Sequence, residues 1–257
     1  MKSKLAEIEH LKLNYHSVTA VKDVSFFLQE GEILAIIGPN GAGKTSTIEC
    51  LEGLRKVTSG KVSLLGYNPY NNRKKIYEKV GIQLQASEFP DRIKVKEVCK
   101  LFASCYDSPA DWQILLKKFN LLETANRYVN KLSGGERQRL SILLSLLPRP
   151  KVLILDELTT GLDPEVRRDL WDSLKQIRKT GTSILLVSHF MDEVEYLADR
   201  IVYLLNGKSD FVGTQLEFRS YAKKKISDSD FSDTLSLEDI YVLLAPKNNS
   251  LNLEGLL

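Results

Sequence analysis

Apolar and polar residues alternate between residues 5 and 29, as in Val24-Ser25-Phe26-Phe27-Leu28. This two-residue period predicts antiparallel strands with one solvent-facing side. After Glu32 the pattern changes and the chain is apolar through Ile37, as expected of a strand buried on both faces. A glycine-rich turn follows. Residues 44–54 then read as a helix with Ile48, Leu51 and Leu54 inward and Gly53 near its C-terminus. Residues 152–155, 183–187 and 201–205 are three more short apolar strands, separated by helical patterns such as 165–179. Strands alternating with helices of this length imply right-handed βαβ units and a parallel sheet. No core strand is predicted between about residues 86 and 147. Helical patterns over 94–106, 110–119 and 135–147 mark an inserted helical subdomain, which ends at Pro148-Arg149-Pro150. From about Gln215 the chain is polar and lysine-rich until 235–244, and residues 246–257 are expected to be mobile.

Composition narrows the class. With 43% hydrophobic and 27% charged residues in a chain of 257, a buried core is affordable within one α/β unit. The balance of 36 basic against 33 acidic residues does not point to nucleic acid as a partner. Arg73-Lys74-Lys75 and Lys223-Lys224-Lys225 read as solvated faces. Cys50, Cys99 and Cys105 form no CxxC pair, which suits a reducing cytosol, with Cys99 and Cys105 packing as small apolar residues. No apolar run approaches the roughly 20 residues of a membrane helix. The first residues lack the apolar stretch of a secretory signal. A membrane connection would therefore run through a partner protein.

The chemistry begins at Gly38-Pro39-Asn40-Gly41-Ala42-Gly43-Lys44-Thr45, between the buried strand and the helix. In such a loop backbone N–H groups converge on polyphosphate oxygens, and side chains at the glycines would block that approach. The helix adds its positive N-terminal end, Lys44 a point charge for the β- and γ-phosphates, and the Thr45 hydroxyl a ligand for Mg²⁺. Ser46 is a further phosphate donor. A second constellation, Asp156-Glu157, ends an apolar strand, where ligands of open α/β sheets bind. Neighbouring strand residues point to opposite sides, so different roles are expected: Asp156 for Mg²⁺ and Glu157 for polarising the attacking water. Taken without the cradle, the same acids would fit a strand end reaching solvent.

With Leu132-Ser133-Gly134-Gly135-Glu136-Arg137-Gln138, these segments resemble the Walker A, signature and Walker B motifs of an ATP-binding cassette, the nucleotide-binding domain of ABC transporters. The resemblance covers about residues 5–215. It implies a P-loop NTPase fold with a RecA-like parallel core, an N-terminal antiparallel β subdomain and an inserted α-helical subdomain at about 86–148. The cassette would occupy 1–215 and a C-terminal extension 216–257. Ser133 would cap a helix whose free amides, with Gly134 and Gly135, face an anion. Tyr15 resembles the aromatic that stacks on adenine, although its pattern equally suits a core position. Gln85 resembles the Q-loop glutamine that senses Mg²⁺ and links to the membrane partner, with Gln83 second in line. Gly161-Leu162-Asp163 resembles the D-loop, and His189 the switch histidine at the γ-phosphate. Leu158 stands where the family has proline, and no chemical group is lost by it.

The resemblance implies that ATP, with Mg²⁺, is bound and hydrolysed in a head-to-tail dimer with a second nucleotide-binding subunit, identical or not. Ser133, Gly134 and Gly135 would complete the partner's site. The dimer would sit on the cytoplasmic face of the membrane, peripheral through integral permease subunits. Ser59-Gly60-Lys61-Val62, Gly66-Tyr67-Asn68-Pro69 and residues 235–241 are similar to segments of ABC-2-type exporter subunits for drugs, antibiotics or peptides. The competing class is a soluble ABC ATPase that moves no solute and acts on a macromolecule. Ribosome-acting members would carry two cassettes and chromosome-maintenance members a long coiled coil, and neither feature is present.

Overall fold

The structure, a computed structural model, describes residues 3–83, 89–90, 92–226, 231–232 and 234–245. Strands β1 (Lys4–Tyr15) and β2 (Val18–Gln29) pair antiparallel. Ala6, Ile8, Leu11 and Leu13 of β1 are buried, as are Val21, Val24, Phe26 and Leu28 of β2. The three-residue step from Ile8 to Leu11 breaks strict alternation. A register shift spans it, with His10 at a φ of 48°, so a bulge keeps both halves of β1 facing the core.

Strand β3 (Ile33–Ile37) leads through the glycine loop into helix α1 (Lys44–Leu51). Next come β4 (Ser59–Leu64), α2 (Arg73–Tyr77) and β5 (Val80–Ile82). Helices α3 (Val95–Ala103), α4 (Trp112–Lys118) and α5 (Gly134–Ser145) follow. The remaining core elements are β6 (Val152–Asp156), α6 (Pro164–Lys179), β7 (Ser183–Val187), α7 (Met191–Leu197), β8 (Arg200–Leu205) and β9 (Lys208–Thr214). Helices α8 (Gln215–Lys225) and α9 (Leu237–Leu244) end the described chain.

Among the described residues the strands form one sheet in the order β4-β1-β2-β9-β8-β3-β7-β6-β5. The five from β8 to β5 run parallel. Successive residues of β3 feed different apolar clusters: Leu34 and Ile36 face α1 and the N-terminal strands, Ile33 the helical insert, and Ala35 and Ile37 helices α8 and α9. That two-sided cover is why the strand is uniformly apolar.

Several expectations need correcting. Helix α1 stops at Leu51, because Gly53 takes a left-handed φ of 74°, and Leu54 is exposed (52%) rather than inward. Cys105 is exposed, whereas Cys50 and Cys99 are buried. Strands β4, β5 and β9 and helices α2, α7 and α8 lacked a readable signal. β5 is only three residues long and β4 buries only two, so their neighbours impose the extended form. Gly81 on β5 is required by packing, since a Cβ there would lie 2.0 Å from the Ser145 carbonyl oxygen at the end of α5. The expected mobile segment 246–257 and Gln85 lie outside the described residues.

Candidate functional site

The loop between β3 and α1 is shaped by close backbone approaches. A Cβ on Gly38 would meet the Leu204 carbonyl oxygen at 2.2 Å, and one on Gly43 the Ala20 oxygen at 2.8 Å. The buried Thr47 hydroxyl donates to the Gly43 carbonyl at 2.7 Å and ties the loop to the first turn of α1. Lys44 folds back, its Nζ donating to the carbonyl oxygens of Gly38 (2.6 Å) and Pro39 (3.1 Å). Burial holds the Lys44 ammonium below the ordinary lysine range, against the pull of Glu157 and Asp156. Asn40, Gly41, Gly43, Lys44, Thr45, Ser46, Asp156 and Glu157 line one open cleft of about 250 Å³.

Strands β6 and β7 end flush, Asp156 pairing with Val187, so the loops after them share one edge of the sheet. The expectation that the two acids diverge fails for a local reason. β6 ends at Asp156, and Glu157 turns to a left-handed φ of 50° while its N–H donates to the Val187 carbonyl at 2.9 Å. Strand alternation therefore stops between them, and both carboxylates face the cleft. His189, just beyond β7, places Nδ1 3.5 Å from Glu157 Oε1, an ion pair when the imidazole is protonated. Leu158 is buried among the apolar side chains packed against the helical insert.

The Thr45 hydroxyl and the Asp156 carboxylate, which line this cleft with Lys44, are hard oxygen donors of the kind that fit Mg²⁺. Among the described residues no cluster of three His, Cys, Asp or Glu could hold a metal alone. Such an ion would take its other ligands from water and phosphate.

Ser133 caps α5 in a capping box. Its Oγ accepts from the Glu136 N–H at 3.2 Å, and Glu136 Oε2 accepts from the Ser133 N–H at 2.7 Å. That backbone hydrogen bond, aided by Arg127, holds the Glu136 carboxyl below its usual range. Gly135 packs so that a Cβ would meet Val166 Cγ1 at 2.9 Å, while Gly134 faces Leu162. Neither these residues nor Asp163, which precedes Pro164 at the start of α6, lines the cleft. Tyr15, half-buried at the end of β1, has its hydroxyl 2.9 Å from Glu49 Oε2 and 3.3 Å from Ser46 Oγ. Gln83 is buried, and its Oε1 has no hydrogen-bond partner among the described residues. Pattern reading missed Glu193, a fully buried acid next to the histidine loop; its flanking acids Asp192 and Glu195 hide it in sequence.

A parallel sheet with this phosphate loop and acid-bearing strand end defines a P-loop nucleotide-binding protein. The sequence matches the ABC transporter family over residues 21–160. It is 32% identical over 221 residues to the linearmycin resistance ATP-binding protein LnrL of Bacillus subtilis, covering 84% of this chain and 71% of that one. It is 34% identical over 209 residues to the Nod factor export ATP-binding protein I of Ralstonia nicotianae, covering 79% of this chain and 65% of the relative. Other curated relatives, from Dictyostelium discoideum, are much longer, and the chain spans 26% of their length. A solved ATP-binding subunit of an ABC transporter matches with a TM-score of 0.81 at 28% identity, over 93% of this chain and 98% of that one. The chain belongs to the ABC transporter family, as an ATP-binding ATPase domain. Among the described residues no helix is long and apolar enough to cross a membrane.

Proposed function

We propose that the chain hydrolyses ATP to ADP and phosphate as the energy-supplying subunit of an exporter whose substrate path lies in separate membrane permease subunits. The carrying observation is the Glu157–His189 pair at the edge of the cleft lined by Lys44, Thr45 and Asp156. Lys44 releases the loop carbonyls and takes the β- and γ-phosphates, while the loop amides hold the remaining oxygens. Thr45 and Asp156 would hold Mg²⁺, with Gln85 expected as a further ligand, and the ion would supply positive charge beside the phosphates. Glu157 orients the attacking water and accepts its proton, and His189 steadies that carboxylate and reaches the γ-phosphate. Tyr15 takes the adenine.

Ser133, Gly134, Gly135 and Asp163 stand outside their own cleft, which supports a role at the nucleotide of a second subunit. Hydrolysis per subunit should then rise with protein concentration and level off once dimers dominate. A specific rate independent of concentration, in a protein that sediments as a monomer, would remove the two-subunit site. Between the core and the helical insert, Leu54, Tyr77, Phe102, Tyr106 and Leu144 line an apolar cleft of about 260 Å³ next to β5. That cleft suits a permease loop. The names of the linearmycin resistance and Nod factor export relatives support an exporter at the cytoplasmic face of the membrane, with a drug, antibiotic or peptide as its substrate. Reconstitution with the permease encoded beside this chain should stimulate ATP hydrolysis, and no stimulation by any co-encoded membrane protein would favour a non-transport ATPase.

A further inference from the structure

We infer that Glu193 is a positioning residue that sets the switch histidine and ties its loop to helix α6. The inference rests on the ATPase reading of Glu157 and His189. Glu193 lies in the first turn of α7 and is fully buried, yet the chemistry proposed above does not use it. A carboxylate removed from water persists only where its oxygens are taken up by donors. Here Oε1 accepts from the Trp171 indole N–H on α6 at 2.9 Å, and Oε2 accepts from the Ser188 hydroxyl at 2.5 Å.

Ser188 in turn accepts from the Phe190 N–H at 3.0 Å. The resulting chain, Phe190 N–H to Ser188 O–H to Glu193, fastens the residues on both sides of His189 to one buried anchor. The buried Thr159 hydroxyl, from the loop after β6, also lies toward this carboxylate, outside hydrogen-bond geometry. Desolvation raises the Glu193 carboxyl above its usual range, while its hydroxyl and indole partners pull it back.

A second link, at the surface, joins the histidine loop to the 158–163 loop. Arg167 donates from Nε to the Leu162 carbonyl at 3.1 Å, and its guanidinium lies 4.2 Å from the centre of the Phe190 ring. That ring stands 4.1 Å from the imidazole of His189. The histidine loop is therefore fastened in the core to α6, through Glu193 and Trp171, and at the surface to the 158–163 loop, through Arg167. A displacement of the 158–163 loop by a second subunit would reach His189 through Arg167 and Phe190, against the hold of Glu193.

The test compares the full chain with Glu193→Gln, Glu193→Ala and Ser188→Ala variants. The Ser188 variant keeps the Glu193 carboxyl and removes only the link. The chain has three histidines, so the imidazole NMR signal of His189 is the one lost in His189→Ala. The Glu193→Gln and Ser188→Ala variants should each shift the His189 signal and leave His10 and His16 in place. In both, kcat should fall about 10- to 100-fold, the scale of a reacting group displaced by ~1 Å, with KM and ATP affinity unchanged within about twofold. Glu193→Ala should lose more than Glu193→Gln, which keeps an acceptor for Trp171. An unmoved His189 signal in both milder variants would overturn the inference. So would a rate that falls only with the folded fraction measured by circular dichroism. If the unaltered chain hydrolyses no ATP, the ATPase reading fails, and the NMR comparison still decides whether Glu193 holds His189.

Discussion

Glu157 carries both a chemical role and backbone strain, and two substitutions separate them. Its φ of 50° lies in the left-handed region, which costs a residue with a side chain roughly 1–2 kcal/mol. Glycine escapes that cost but loses about 0.5–1 kcal/mol more chain entropy on folding. Glu157→Gly should therefore be more stable than Glu157→Gln by about 0.5–1 kcal/mol. The ion pair with His189 does not disturb the comparison. Its side chains are 40% and 48% exposed, such pairs contribute about 0–1 kcal/mol, and both variants lose it equally. At about 2–4 °C per kcal/mol for a chain of this size, the glycine variant should melt roughly 1–4 °C above the glutamine variant. Both should lose on the order of 10²–10⁴ in turnover while still binding ATP. Thermal unfolding followed in parallel with phosphate release measures the two effects on the same samples. A glycine variant that melts below the glutamine variant refutes the strain, and near-normal turnover in the glutamine variant removes Glu157 as the base.

Other expectations follow from single contacts. Lys44→Ala should weaken ATP binding by about 10- to 100-fold, the scale of a hydrogen bond to a charged group, in a fluorescent-nucleotide titration; unchanged affinity would count against the cradle. Gly81→Ala should cost about 2 kcal/mol or more in urea unfolding, because the new Cβ cannot share space with the Ser145 carbonyl oxygen. An unshifted midpoint there would deny the contact between α5 and β5. Burial, with Asp156 and Glu49 nearby, pushes the Glu52 carboxyl up to about 7 from 4.5. The folded chain then binds that proton more tightly than the unfolded one, so stability falls as pH rises from about 4.5 to about 7 and is level above. Glu52→Gln should remove this slope and gain up to about 3 kcal/mol at pH 8, with the difference vanishing near pH 4.5; a variant no more stable at pH 8 would place Glu52 in water.

Most of the parallel core was legible because a strand covered on both faces can hold no polar residue in its interior. The apolar runs at 33–37, 152–155 and 183–187 therefore stand out, and β3, β6 and β7 occupy them. Short or half-covered strands have no such mark. β5, three residues long with Gly81 at its centre, is extended because β6 and α5 hold it so. Leu54 was misplaced because a helical period says which side is apolar but not where a glycine ends the helix.

Residue type and spacing alone mark the glycine loop, the acids at a strand end and the capped helix that starts at Ser133. Each is a local pattern whose chemistry follows from residue type and spacing. How these parts meet is a property of the fold. The flush ends of β6 and β7 bring Glu157 within 3.5 Å of His189, the left-handed turn at Glu157 puts both acids on one cleft, and Glu193 is buried where the histidine loop meets α6. Those relations join residues far apart in the chain through sheet pairing and burial, and no local periodicity encodes them.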